Sequence, residues 1–362
     1  MAARRLALDD LRAFAAARTL FAPTDLVAAI DALGFVQMDP IRAPARAQDL
    51  ILRHRVADYR AGDLERRFAE LPLAEDYVHV YGALPARTIS LLHPRTKRRR
   101  FHVEDEHPRL ARKILQHIER NGPAHPRDLV RQFGSANIVN AWGGSSAATT
   151  RMLEVMHYRG VLRVVRRDNG VKVYGLAAPR PQQLTFAERA RELLEMLIRL
   201  YAPVPMSSLR QTAAITMRDS VPRSAWERAL AKLLSSDSLR VETVDAVAYA
   251  WPANEAFDAT PRDAVRFLAP FDPIVWDRRR FEHLWEWDYR FEGYTPHAKR
   301  RFGYYALPML WRDRVIGWVN AASTPNKLDV ELGFVTSKPR DRAFSREVER
   351  EIDALERSLH RH

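Results

Sequence analysis

The chain has 362 residues, 46% of them hydrophobic, which is enough for two or three domains with a real core. Its 58 Lys plus Arg against 45 Asp plus Glu leave a net charge of +13, a surplus that favours a polyanionic partner, nucleic acid ahead of anionic lipid. Cysteine is absent, which excludes disulfides, thiolate zinc sites and cysteine nucleophiles and fits a reducing cytoplasm. No stretch approaches the ~20 apolar residues of a membrane span, and Asp9 and Asp10 interrupt any N-terminal signal region. A soluble, intracellular monomer is the expectation.

The first unit, residues 1–94, opens with helical spacing: Leu8, Leu11, Phe14 and Ala15, then Leu26, Ile30 and Leu33 after the start signal Thr24-Asp25. Gly34 stops the second helix, and Phe35-Val36-Gln37-Met38-Asp39 reads as a short strand that Pro40 ends. Side chains alternate across a strand, so Val36 and Met38 face the core while Gln37 and Asp39 share the other face. Taken alone, this stretch reads better as an Asp-Pro turn beside a surface amide. Helix returns near Leu50, and Asp63, Leu64, Phe68 and Leu71 suggest another, so the unit reads as helix-rich with little strand.

The second unit, 95–181, begins with the basic run Lys97-Arg98-Arg99-Arg100, a solvated face or a phosphate contact. It ends with a helix from Ala147 to Tyr158, a stop at Gly160 and two alternating runs around Asp168-Asn169-Gly170, a strong hairpin signal. A helix feeding such a hairpin is the winged-helix arrangement. The third unit, 182–257, repeats it: residues Arg151 to Tyr174 slide without a gap onto Arg228 to Trp251, superposing Leu153 on Leu230 and Asp168 on Asp245. The last unit, 258–362, carries short apolar runs at 304–311, 314–319 and 328–332 that predict a small barrel or sheet. A closing helix with Phe344, Val348, Ile352, Leu355 and Leu359 on one stripe should dock on it.

Gly143-Gly144 lacks the Lys-Ser/Thr of a phosphate-binding loop, and no His-Glu-x-x-His occurs, so neither a nucleotide cofactor nor a metal is expected. Glu75 and His79, four apart around Tyr77, are either a helical surface pair or an element beside the Gln37/Asp39 site. Lys299-Arg300-Arg301-Phe302, preceded by Tyr294, mixes cations with aromatics as nucleic-acid surfaces do; on a hairpin edge the same cations would discourage aggregation.

The segments Leu33 to Ile41, Glu75-x-Tyr77-x-His79 with Leu84-Pro85, Pro270 to Arg279 and Tyr294 to Tyr305 together resemble the YcaQ/AlkZ family of bacterial DNA glycosylases. The resemblance implies an α+β fold of three tandem winged helices followed by a C-terminal β-barrel, with a basic surface for duplex DNA. It makes Gln37-Met38-Asp39 the Gln-x-Asp form of the catalytic signature, Asp39 acting on water and sugar and Gln37 orienting the water. The DNA-binding residues would be His79, Arg278, Arg279, Lys299, Arg300 and Arg301, the basic segments among them meeting phosphates. The implied activity is monofunctional: hydrolysis of the N-glycosidic bond of N7-alkylguanine and unhooking of interstrand crosslinks, without cofactor or metal. Asp76-Tyr77, where relatives often carry Tyr-Trp, bears on substrate preference. The rival reading is a non-enzymatic winged-helix regulator that binds undamaged operator DNA, and a third is an RNA-binding accessory protein.

Overall fold

The computed structural model describes residues 6–359 except 97–99, 135–136, 140–144, 179–183, 258–259 and 325–326. Lys97, Arg98 and Arg99 of the basic run, and Gly143 and Gly144, therefore lie outside the described residues. The fold is α+β, as expected, and the chain divides into two compact units, each drawn from separated stretches. One comprises Met1–Asp63, Leu194–Thr212 and Leu230–His362; the other comprises Leu64–Leu193 and Ala213–Ala229.

In the first unit, the three predicted C-terminal runs and a further, unexpected strand, Val265–Phe267, form one antiparallel sheet: Val265–Phe267, Leu307–Trp311, Arg314–Ser323 and Leu328–Phe334 in that order. Its two outer strands are not paired to each other, so the described residues form an open sheet and the expected closed barrel is not found. The apolar stripe of helix Arg342–Leu359 docks on it, Phe344 lying edge-on to Trp311 at 5.6 Å. That face also carries a buried Glu351, whose carboxylate accepts the Phe267 N–H at 2.8 Å. A second core gathers Phe281, Trp285, Trp287, Tyr289 and Phe302 against helix Leu8–Thr19. Arg55 and Asp272, both fully buried, close a two-pronged ion pair at 2.8 and 3.0 Å. Arg55 also donates to the Thr19 and Ile51 carbonyls, so its charge is enclosed but satisfied. The Pro270-Phe271-Asp272-Pro273 motif thus contributes its carboxylate to the core.

The hairpin Leu239–Val244 to Val247–Pro252 belongs to the first unit and turns through Asp245 and Ala246, both at positive φ. Its counterpart in the second unit is Leu162–Asp168 to Val171–Leu176, turning at Asn169 (φ 51°) and Gly170 (φ 85°) as the Asn-Gly signal predicts. Three helices pack with it: Leu110–Asn121, Pro126–Phe133 and Ala148–Tyr158. Ile114, Leu129 and Leu153 are fully buried there, each worth about 1.5–3 kcal/mol of burial.

A hairpin of Leu73–Tyr77 and Tyr81–Pro85 departs from the expectation of little strand. Ala74, Glu75 and Asp76 are poor strand formers, and the hairpin is held by ion pairs instead. Glu75 accepts both prongs of Arg167 at 2.7 and 2.6 Å and the Tyr81 hydroxyl at 2.7 Å. Asp76 accepts from Arg95 at 2.8 Å and bonds the His93 ring at 2.6 Å. Glu75 and His79 are accordingly not a helical pair: Glu75 is a buried strand residue and His79 lies in the turn.

Candidate active site

Helix Leu26–Leu33 starts on Asp25, whose carboxylate accepts the Val27 and Ala28 N–H groups at 3.0 Å, and stops at Gly34. Gly34 has φ +74°, and a Cβ there would press on Met196 Cγ at 3.0 Å, so the reversal that launches Gln37 depends on glycine. The strand that follows is only Val36–Gln37. Phe35, Val36 and Met38 are buried while Gln37 and Asp39 are half-buried, an alternation of burial from Val36 onward.

Asp39 also makes the turn that its sequence suggests. Its Oδ1 accepts the Ile41 N–H at 2.9 Å, and its own N–H donates at 3.3 Å to Oε1 of the buried Gln48, on helix Ala47–Leu52. Backbone and one carboxylate oxygen are therefore fixed, whereas Oδ2 has no hydrogen-bond partner among the described residues. Burial raises the Asp39 pKa above the ordinary carboxylate value, and the Ile41 N–H offsets part of the rise. Two residues before it, the Gln37 Oε1 is buried and accepts no hydrogen bond among the described residues. An acceptor in that condition is costly to the fold and suits a site built to receive a donor.

From Ala43, Pro44 and Arg42 to Arg300, Tyr304 and Tyr305 runs an open groove of about 830 Å³. The Tyr305 hydroxyl is buried without a partner among the described residues. Its pKa is pushed well above the ordinary value by burial, with the Asp39 charge adding to the effect. Arg300 donates to the Thr295 carbonyl at 2.8 Å and lies 5.0 Å over the Tyr304 ring. One wall of the groove thus combines cation and aromatic surface; the groove begins at Arg42, three residues beyond Asp39, and neither Gln37 nor Asp39 lines it.

The structure sorts the remaining expected contacts. Arg279, Lys299 and Arg301 are exposed. Arg278 is enclosed: it donates to the Val275 and Pro270 carbonyls, lies 4.7 Å over the Tyr289 ring, and has its pKa lowered by burial. His79 belongs to the other unit, where burial pulls its pKa down to about 3, so its imidazole is neutral at pH 7. Gln48 and Tyr305 escape a reading of the sequence as site residues. Gln48 gives no signal, since its role depends on a helix turning back on Asp39; the run Tyr304-Tyr305 after a basic segment is a signal for the second.

A carboxylate with one uncommitted oxygen, an amide two residues before it and a wall of cations and aromatics fit a hydrolase of glycosidic bonds working on a polyanion. The chain belongs to the AlkZ-like DNA glycosylase family, matching the family described as "DNA glycosylase AlkZ-like" over residues 30–357. Its fold is similar to that of the Streptomyces sahachiroi DNA glycosylase AlkZ. The TM-score is 0.60 and the identity 16%, with 98% of this chain and 97% of that chain covered. The family match makes this chain a DNA glycosylase, an enzyme of DNA repair; the structural likeness speaks for the fold.

Proposed function

We propose that this glycosylase hydrolyses the N-glycosidic bond of N7-alkylguanine in duplex DNA, unhooks interstrand crosslinks made through that atom, and is of the Gln-x-Asp branch. The observation that carries the reading is the Asp39 carboxylate, with Oδ1 on the Ile41 N–H, the residue's own N–H on Gln48 and Oδ2 uncommitted, together with the unpartnered Gln37 amide oxygen two residues before it.

Alkylation at N7 makes guanine cationic. The C1′–N9 bond then breaks with both electrons passing to N9, and the base departs neutral without a general acid. The deoxyribose left behind is an oxocarbenium-like cation, which the Asp39 carboxylate stabilises electrostatically. A water donates one O–H to Asp39 and the other to Gln37 and adds to C1′, its proton passing to the Asp39 carboxylate. A raised carboxylate pKa suits that transfer, because the group binds a proton more readily than an ordinary aspartate. Undamaged guanine lacks the positive charge and leaves far more slowly, so the chemistry supplies selectivity without an enclosing pocket. A crosslinked guanine, tied to the opposite strand, is hard to flip, and an open groove suits it better than a deep one.

We further read the helix-hairpin segments as three tandem winged helices, and the protein as a cytoplasmic monomer that acts without cofactor. Arg279, Lys299 and Arg301 supply phosphate contacts. The test is single-turnover release of N7-methylguanine from duplex DNA, alongside unhooking of an N7-crosslinked duplex followed by denaturing gel. Asp39→Asn should slow both by about 10²–10⁴-fold. Release at the wild-type rate by a folded Asp39→Asn protein would remove Asp39 from the mechanism.

A further inference from the structure

Tyr294 is 79% exposed, the most exposed of the large hydrophobic side chains among the described residues. Exposure of one aromatic is ordinary; its mounting is not. The ring stands edge-on to Phe291 at 5.9 Å, and Phe291 in turn is edge-on to the buried Tyr305 at 5.3 Å and tilted against Phe271 at 5.1 Å. Gly293 makes this possible, because a Cβ there would fall 2.5 Å from the Phe291 ring. The loop is pinned from below by Glu292, almost wholly buried, whose carboxylate accepts the N–H groups of Arg301, Phe302 and Gly303 at 2.7–3.2 Å. Thr295 closes it, donating its N–H to the Glu292 carbonyl at 2.9 Å and accepting from Arg300. An ordered loop therefore holds an aromatic face out into solvent.

Two neighbours say what that face meets. Lys299 and Arg301, exposed on the same loop, supply charge complementary to a phosphate backbone. The Asp39 carboxylate lies close enough to add to the rise in the Tyr294 phenol pKa that burial at its base begins. An aromatic on a loop with two exposed cations, joined through Phe291 to the Tyr305 ring that lines the groove opening at Arg42, three residues beyond Asp39, is placed for a nucleobase at the step being repaired.

We propose that Tyr294 is a positioning residue that stacks on a nucleobase at the lesion step, holding the damaged nucleotide's C1′ against Asp39. The proposal rests on the glycosylase reading above. Stacking uses the π face of any base, so it confers no sequence preference. It would let an open groove fix a nucleotide that cannot be enclosed.

The experiment uses the full chain and a duplex with N7-methylguanine next to 2-aminopurine. Tyr294→Ala should lower the single-turnover rate ~10- to 100-fold, as loss of one base–aromatic stack predicts. Its affinity for undamaged duplex and the steepness of its salt dependence should change little. Tyr294→Phe and Tyr294→Trp should restore the rate, since the face rather than the hydroxyl does the work. In an Asp39→Asn background, which traps the bound state, 2-aminopurine fluorescence should change on binding, and the change should vanish with Tyr294→Ala. The proposal is overturned if Tyr294→Ala reacts at the wild-type rate, if Tyr294→Phe is as slow as Tyr294→Ala, or if fluorescence is indifferent to residue 294. Failure of wild type to release the base would instead defeat the glycosylase reading.

Discussion

Asp39, two residues beyond a short strand, and Asp76, near the end of another, have opposite surroundings. Asp76 is buried, yet Arg95 and His93 outweigh the burial that would raise its pKa and hold its carboxyl well below the usual range. Its neighbour Glu75 is likewise lowered, Arg167 overcoming the effect of burial. Both carboxylates there are answered by donors, and Lys172 completes the set 3.5 Å over the Tyr81 ring, its own pKa brought down to about 8 by burial. Asp39 has one backbone N–H on one oxygen, no cation pair among the described residues, and a raised pKa. The fully answered cluster supports a fold; the half-answered carboxylate keeps a higher affinity for protons, the property that the proposed reaction uses.

The widest test of that contrast exchanges charge for amide at both positions. Asp39→Asn should reduce base release by orders of magnitude while leaving thermal stability unchanged or slightly improved, because its raised pKa means the fold disfavours the charge at pH 7. Asp76→Asn should do the reverse. Removing one partner leaves Arg95 buried without its carboxylate, which costs about 3–5 kcal/mol by denaturant unfolding. The rate per folded molecule should be much less affected. Equal loss of stability in the two variants would erase the distinction.

Acid separates the two carboxylates next. In the proposed mechanism Asp39 acts ionised, so the rate should fall as pH drops through its raised pKa, above the ordinary aspartate range. Asp76 has a depressed folded pKa, so its contribution to stability is fully present above the unfolded value of about 3.9 and is lost only as pH falls below that toward the folded value. Between the two lies a window in which the enzyme is folded and slow. Single-turnover rates and near-ultraviolet circular dichroism measured over the same pH series would reveal it; coincident losses would mean that unfolding, and not protonation of Asp39, limits the rate.

Local grammar makes much of this legible in the sequence. The Asn169-Gly170 turn, the glycine stop at Gly34, the apolar stripe of the C-terminal helix and the alternation from Val36 to Asp39 are all short-range signals, and all appear in the structure. The illegible parts depend on partners distant in sequence. The Leu73–Tyr77 strand contradicts its own propensities and is stabilised by Arg167, 92 residues from Glu75. Asp272 belongs to a motif that carries the family resemblance, but its partner Arg55 lies 217 residues away, so a core role could not be told from a functional one. Composition likewise marks Arg278 and Arg279 as equal cations, whereas the first is enclosed by backbone carbonyls and the second is exposed.

That last difference yields the finest test, because it concerns single charges at the surface. Removing a cation that binds one phosphate should reduce the slope of log affinity against log salt by about 0.9 and weaken binding uniformly across sequences. Lys299→Ala and Arg301→Ala, which remove exposed cations, should each show that change with duplex DNA. Arg278→Ala should leave the slope in place and lower stability, since its guanidinium serves the Val275 and Pro270 carbonyls and the Tyr289 ring. A salt titration by fluorescence anisotropy, paired with thermal melts, separates the two kinds of arginine. If Arg278→Ala flattened the slope as much as Arg301→Ala, the enclosed side chain would have to leave its carbonyls on binding DNA, and the boundary between structural and DNA-facing charge would move inward.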